Sequence, residues 1–175
     1  MEENKGVFRK IVVAIILITG LVLAFKFYKT NNFNGFFKAE RDLYTSSFAR
    51  DNKTTYSEGY SYKISSDVPN DAMLCKEIEV NPNSAYKLSC MVKTEDIKIQ
   101  KEGSDAGAFL GIYESTEKSK SLTGTNDWTK LELYFTSKNK DKIRLGFRLG
   151  GYDDICTGTA WFSDVKLEEV PKKTR

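Results

Sequence analysis

The sequence predicts an all-β chain, an antiparallel β-sandwich of the jelly-roll kind, preceded by one transmembrane helix. Three observations predict it. Residues 11–25 (IVVAIILITGLVLAF) carry no charge and are bracketed by Arg9, Lys10, Lys26 and Lys29. Downstream, short segments alternate apolar and polar residues, with turn-forming residues between them. No downstream stretch repeats its apolar residues at helical spacing.

The apolar run comes first. Fifteen helical residues rise about 22 Å, less than the roughly 30 Å hydrocarbon core. Val7, Phe8, Phe27 and Tyr28 extend it, and Arg9, Lys10 and Lys26 can snorkel to the headgroups. A cleaved signal peptide would need a small-x-small site, but Ala24 is followed by Phe25-Lys26-Phe27-Tyr28. The run therefore reads as an uncleaved anchor. Basic residues are nearly balanced across it, so orientation rests on the short N-terminal stub staying in the cytoplasm. The expected organisation is a stub and anchor over 1–29, a polar linker over 30–34, a β module over 35–170 and a basic tail over 171–175. The localisation expected is the cell membrane, single-pass, with the C-terminal module extracytoplasmic.

Composition narrows the function. The chain has 27 basic and 24 acidic residues. Residues 1–29 hold five of the basic and two of the acidic ones, so the module is neutral with 22 of each. A phosphate-tracking nucleic-acid binder needs a basic surface, so no nucleic-acid partner is expected. There is no histidine. That removes the commonest general base, Ser-His and Cys-His nucleophiles, and the usual zinc ligand. The three cysteines, Cys75, Cys90 and Cys156, cannot all pair internally and have no metal-knuckle spacing, so they read as small buried hydrophobes. An enzyme is not expected.

The strand signals then follow in order. Residues 59–65 alternate Tyr60, Tyr62 and Ile64 against Ser61, Lys63 and Ser65. Residues 73–80 follow a turn at 68–71, and Asn81-Pro82-Asn83-Ser84 is a tight turn. In 85–94, Tyr86, Leu88, Cys90 and Val92 share one face. Residues 107–114 form another strand, and a polar loop runs over 115–127. In 128–136, Leu131, Leu133 and Phe135 face inward, as do Ile143, Leu145, Phe147 and Leu149 in 142–150. The last strand covers 159–168. Such alternation is what a sheet buried on one face requires.

Several words in this order resemble a known group. They are Asn34-Gly35-Phe36-Phe37, the stretch from Ile78 through Val80, Pro82, Tyr86, Leu88 and Val92 to Lys93, then Gly124-Thr125-x-Asp127-Trp128, and finally Ala160-Trp161-Phe162-Ser163-Asp164-Val165-x-Leu167. The module resembles the jelly-roll carbohydrate-binding modules of the galactose-binding-like superfamily, the type appended to xylanases and other glycoside hydrolases. The resemblance implies a non-catalytic sugar binder with Trp128 and Trp161 in its core. It also implies a structural calcium, with Asp164 as one ligand and Glu40 as a second. Ser163 and Lys38 stand where the family has acids.

Strand phase gives a candidate sugar site. Phe109 and Tyr113 lie opposite in parity to Leu110 and Ile112, with Gly111 between them. Arg144 and Arg148 flank Gly146, and Tyr152 follows. The expected ligand-binding set is Phe109, Tyr113, Arg148 and Tyr152 on one exposed face. Aromatics stack on pyranose C–H faces and Arg148 donates to hydroxyls. The function expected is membrane-anchored binding of a cell-wall or extracellular glycan. The alternatives are a structural or protein-interaction sandwich of the envelope, or an accessory part of a glycoside-active enzyme catalytic elsewhere.

Overall fold

The computed structural model of the protein describes residues 35–152 and 154–172. The expected anchor and linker, over 1–34, and the last three residues lie outside that range. Among the described residues no helix is long and apolar enough to cross a membrane.

Nine strands occur among the described residues: β1 (Phe36–Glu40), β2 (Ser46–Asp51), β3 (Ser61–Asn70), β4 (Ala72–Glu79), β5 (Ala85–Ile99), β6 (Gly107–Ile112), β7 (Gly124–Thr136), β8 (Lys142–Gly150) and β9 (Cys156–Val170). They form two antiparallel sheets, ordered β1-β4-β8-β6 and β2-β3-β9-β5-β7. The expected all-β sandwich is therefore present. Period-2 alternation sends Leu88, Leu131, Leu133, Leu145 and Leu149 between the sheets, where all are buried. Four rings pack across the two sheets, with Phe147 and Phe162 buried and Phe36 and Tyr62 half-buried. Phe36 lies 4.8 Å from Tyr62, Tyr62 lies 5.3 Å from Phe147, and Phe147 lies 4.9 Å from Phe162. One ring comes from each of β1, β3, β8 and β9, so the stack bridges both sheets.

Two loops are tied at one end. Ser137 Oγ accepts the Ser84 N–H at 2.9 Å and donates to the Asn81 carbonyl at 2.7 Å. The expected turn at 81–84 is there, with Asn83 in the left-handed region at φ 56°. The turn expected at 68–71 is not. β3 runs through Pro69 to Asn70 before β4 begins at Ala72. Its register slips between Ser66 and Asn70, and such an irregularity accommodates a proline that cannot donate to the ladder.

Of the two tryptophans expected in the core, Trp161 is buried and Trp128 is not. Trp161 lies between the inward-facing Ala160 and Phe162, so it points to the far face of the five-stranded sheet. It is buried there, with Lys63 Nζ 5.2 Å above its ring and its indole N–H donated to Asp51 at 2.9 Å. Trp128 is only half-buried and meets Tyr56 edge-on at 5.9 Å. All three cysteines are buried free thiols, and burial pushes Cys75 and Cys156 up to about 12.

Candidate functional site: the outer face of the four-stranded sheet

Cross-strand register assembles this face. Met73 of β4 lies opposite Arg148 of β8, which lies opposite Phe109 of β6. The next row is Cys75, Gly146 and Gly111, and beyond it Glu77 pairs with Arg144. Phe37 of β1 sits across from Cys75.

The face is less open than the alternation suggests. Phe109 is fully buried, so it lies beneath the exposed surface and not on it. Residues 117–122 run along the free edge of β6. The Ala108 N–H donates to the Leu122 carbonyl at 2.9 Å, and the Ser119 N–H to the Leu110 carbonyl at 2.8 Å. Lys118 from this segment places Nζ 4.5 Å from the Phe109 ring centre. The glycines do not leave room for a ligand. A Cβ on Gly146 would meet the Met73 methyl at 2.7 Å, and one on Gly111 would meet the Phe109 ring at 3.3 Å. The small residues let Met73 and Phe109 lie flat over the sheet.

Arg148 is the polar centre of this layer. It is only 8% exposed. Its Nε donates to Asp71 Oδ1 at 2.6 Å and its Nη2 donates to Asp71 Oδ2, a bidentate fork. Burial disfavours its charge, but the Asp71 carboxylate outweighs burial and holds the guanidinium above its ordinary value. The Tyr152 ring stacks 3.9 Å from the guanidinium. The Tyr152 hydroxyl donates to the Ile112 carbonyl at 3.2 Å, and burial pushes its phenol up against the opposing pull of Arg148. At the other end, Phe37 and Tyr113 meet edge-on at 5.4 Å, with the Arg144 guanidinium 5.9 Å from the Tyr113 ring.

Between these parts is a cleft of about 300 Å³. Tyr113 and Tyr152 line it with Met73, Arg148, Asp71 and Glu114. Three of the four expected residues, Tyr113, Arg148 and Tyr152, thus meet at one cleft, with Phe109 as support below. Tyr152 is 37% exposed, so part of its ring is open to solvent. Chemically the cleft offers ring faces, carboxylate acceptors and a positioned guanidinium. Asp71, Glu114 and Phe37 escaped sequence reasoning as site residues. Asp71 was hidden in an expected turn, although an acid just before a strand that pairs with the Arg148 strand is a usable signal.

The expected calcium pair does not assemble. Glu40 accepts from the Ser46 N–H at 3.0 Å and lies beside Asn70, which pairs with Cys156. Asp164 lies two residues past Phe162, which pairs with Tyr62, and its carboxylate takes Lys166 Nζ at 3.1 Å. Asn70 and Tyr62 are at opposite ends of β3, so these two acids do not fit one ion. Among the described residues no group of three or more His, Cys, Asp or Glu is placed to hold a metal.

Comparison with solved structures gives the sandwich its relatives. The structure of TmCBM61 in complex with β-1,4-galactotriose is 17% identical, with a TM-score of 0.54 over 82% of this chain and 94% of that one. The CBM22-2 xylan-binding domain of Paenibacillus barcinonensis Xyn10C is 13% identical, with a TM-score of 0.52 over 82% and 96%. The fold is that of these carbohydrate-binding modules. The enzymatically active domain of the bacteriophage CBA120 tailspike protein 4 also contains it, at 12% identity and a TM-score of 0.55, over 20% of that chain. At such low identity the likeness is one of fold alone. No family model matches the chain. By sequence, 99 residues are 31% identical to the tRNA nuclease WapA of Bacillus subtilis strain 168 and equally to the tRNA3(Ser)-specific nuclease WapA of Bacillus spizizenii. That stretch is 53% of this chain but 4% of either relative, so the chain spans a small fraction of their length.

Proposed function

We propose that the chain is a membrane-anchored, non-catalytic module that binds carbohydrate in the cleft over the four-stranded sheet. One observation carries this reading. Two tyrosines, Tyr113 and Tyr152, border a cleft whose floor holds a rigid, paired Arg148 and Asp71. The solved structures sharing the fold support it, since they include modules named for xylan binding or seen with a galactotriose. A pyranose would stack a C–H face on a tyrosine ring. Its hydroxyls would donate to the free lone pairs of Asp71 and to Glu114. Affinity is expected to be modest, because a shallow cleft buries little of each ring.

Glycan-array screening and calorimetry of the full chain test the site. Tyr113→Ala should weaken binding at least tenfold, about 1.4 kcal/mol, with little change in melting temperature. Unchanged glycan affinity per folded molecule would remove the cleft. The anchor is part of the same proposal and rests on the uncharged run at 11–25. Full-length protein should resist carbonate extraction from membranes, and release into the soluble fraction would overturn the anchor. The stretch shared with the two nucleases favours a module reused inside long chains. A module of balanced charge without histidine lacks the usual base for cleaving RNA.

A further inference from the structure

A second guanidinium in the molecule has the fork of Arg148 but not its filling. Arg50 lies near the end of β2, an edge strand, opposite Tyr62 of β3. Like its neighbour Phe48, which pairs with the core residue Ile64, it is on the inward phase of its strand. Its Nε and Nη2 are shielded from solvent and have no hydrogen-bond partner among the described residues. These are the two nitrogens that Arg148 uses to hold both oxygens of Asp71. They point the same way and match the spacing of a carboxylate. A buried guanidinium edge without an acceptor is costly to keep, so these two donors favour binding an acceptor.

An aromatic ring lies against the fork. The Arg50 guanidinium lies 4.8 Å from the centre of the Tyr60 ring. Tyr60 is 39% exposed, follows Gly59 at φ 105°, and is perpendicular to Tyr62 at 5.3 Å. The two hydroxyls share one hydrogen bond at 3.3 Å. Rotation of an exposed aromatic is fast, so Tyr60 can leave the fork and offer its face to an incoming ring.

We infer that Arg50 and Tyr60 form a second binding site, at the β2 edge of the sandwich, for a sugar that bears a carboxylate. The uronic-acid part rests on the carbohydrate reading of the cleft; the carboxylate part rests on the empty fork. The carboxylate would take Arg50 Nε and Nη2 side-on, and the pyranose would stack on Tyr60. A glycan containing uronic acid would then engage this site through its acid and the cleft through a neutral ring.

Calorimetry on the full chain, in mild detergent because of its apolar run, tests this with tetragalacturonate and neutral galactotetraose. The uronate should bind at least tenfold tighter than the neutral sugar. Arg50→Lys keeps the charge but loses the planar fork. It should cost uronate binding at least tenfold and leave neutral-sugar binding unchanged. Equal uronate affinity in Arg50→Lys and wild type would overturn the assignment. So would a hexaglutamate peptide binding as tightly as the uronate, since the site would then read any carboxylate. Should Arg50→Lys not fold, the wild-type Arg50 Nε–H resonance should shift on saturation with uronate, and no shift would overturn the site. If the neutral sugar binds in a Tyr113-dependent way while uronate binds no tighter, only the Arg50 site falls. If neither sugar binds, the carbohydrate reading falls with it.

Discussion

Replacing Asp71 with Asn tests whether the floor of the cleft is dry and rigid. Asp71 and Arg148 are mutually satisfied, with side-chain exposures of 14% and 10%. Asn keeps the shape but loses the charge and one of the two acceptors. Arg148 would then keep a full charge with one neutral acceptor and the Tyr152 and Phe109 rings as its remaining partners. Breaking a buried pair from one side costs about 3–5 kcal/mol, because the surviving charge is left uncompensated. Asn retains one acceptor, so the expected loss is about 3 kcal/mol. Unfolding entropy for roughly 140 residues is about 0.3 kcal/mol/K, so the melting temperature should fall by ~10 °C. Urea denaturation of the full chain, followed by tryptophan fluorescence, measures the free energy directly, and the slope should not change. The loss should be nearly the same in low and high salt, since a buried pair is weakly screened. The double change Asp71→Ala with Arg148→Met should recover most of it, because an apolar pair of similar bulk removes the stranded charge. A loss below about 1 kcal/mol would mean Arg148 is solvated, and the preorganised floor on which sugar binding depends would be wrong.

Two further outcomes follow from the packing and the charges. Gly146→Ala should destabilise by about 1–3 kcal/mol, since its Cβ would meet the Leu74 carbonyl and the Met73 methyl, each at 2.7 Å; a neutral effect in the same urea titration would show the layer to be loose. Burial alone would raise the Asp51 carboxyl, but the Thr54 and Lys53 N–H groups and the Trp161 indole outweigh it and hold it below its ordinary 3.8. A depressed folded value stabilises above the unfolded pKa and is lost as pH falls through the folded one. Wild type should therefore lose stability more steeply below about pH 4 than Asp51→Asn, and parallel acid-melting curves would refute the role of Asp51.

Strand phase was legible because it is a local property. Leu131, Leu133, Phe135, Ile143, Leu145, Phe147 and Leu149 all face the partner sheet, as a period of two requires. The same parity placed Tyr113 and Arg148 on one outer face. What parity cannot give is what covers that face. Phe109 has outward phase and no exposure, because the 117–122 segment returns along the β6 edge and Arg148 and Tyr152 close over it. Trp161 has outward phase and is buried for a similar reason. The residues after Asp51 fold back over it, and the Tyr56 N–H reaches Ser163 Oγ at 3.4 Å. β1 and β2 went unread because FFKAE and SSFARD are five and six residues without clean alternation. Their places are fixed by pairing with distant strands, which a local pattern does not encode.

Both faces of the four-stranded sheet are thus packed around β6, and this decides what kind of site the cleft can be. All six residues of β6 are buried, although β6 is the last strand of its sheet. The 117–122 segment pairs along its free edge and removes the open hydrogen-bonding row that would otherwise recruit another strand. Lys118 tethers this segment through an ion pair with Asp105 at 2.8 Å and caps the Phe109 ring. The cleft floor therefore rests on a ring and a methionine locked against glycines, with the Arg148 fork fixed above them. A floor held from both sides does not have to be ordered when a ligand arrives, so less of the binding free energy is lost to side-chain entropy. Tyr113 and Tyr152 stand at the two ends of that floor, where the cleft meets solvent. Differences in sugar preference should then come from substitutions at these two tyrosines and at Glu114. Substitutions at Phe109, Met73 or Gly146 should act first on stability, and on binding only through it.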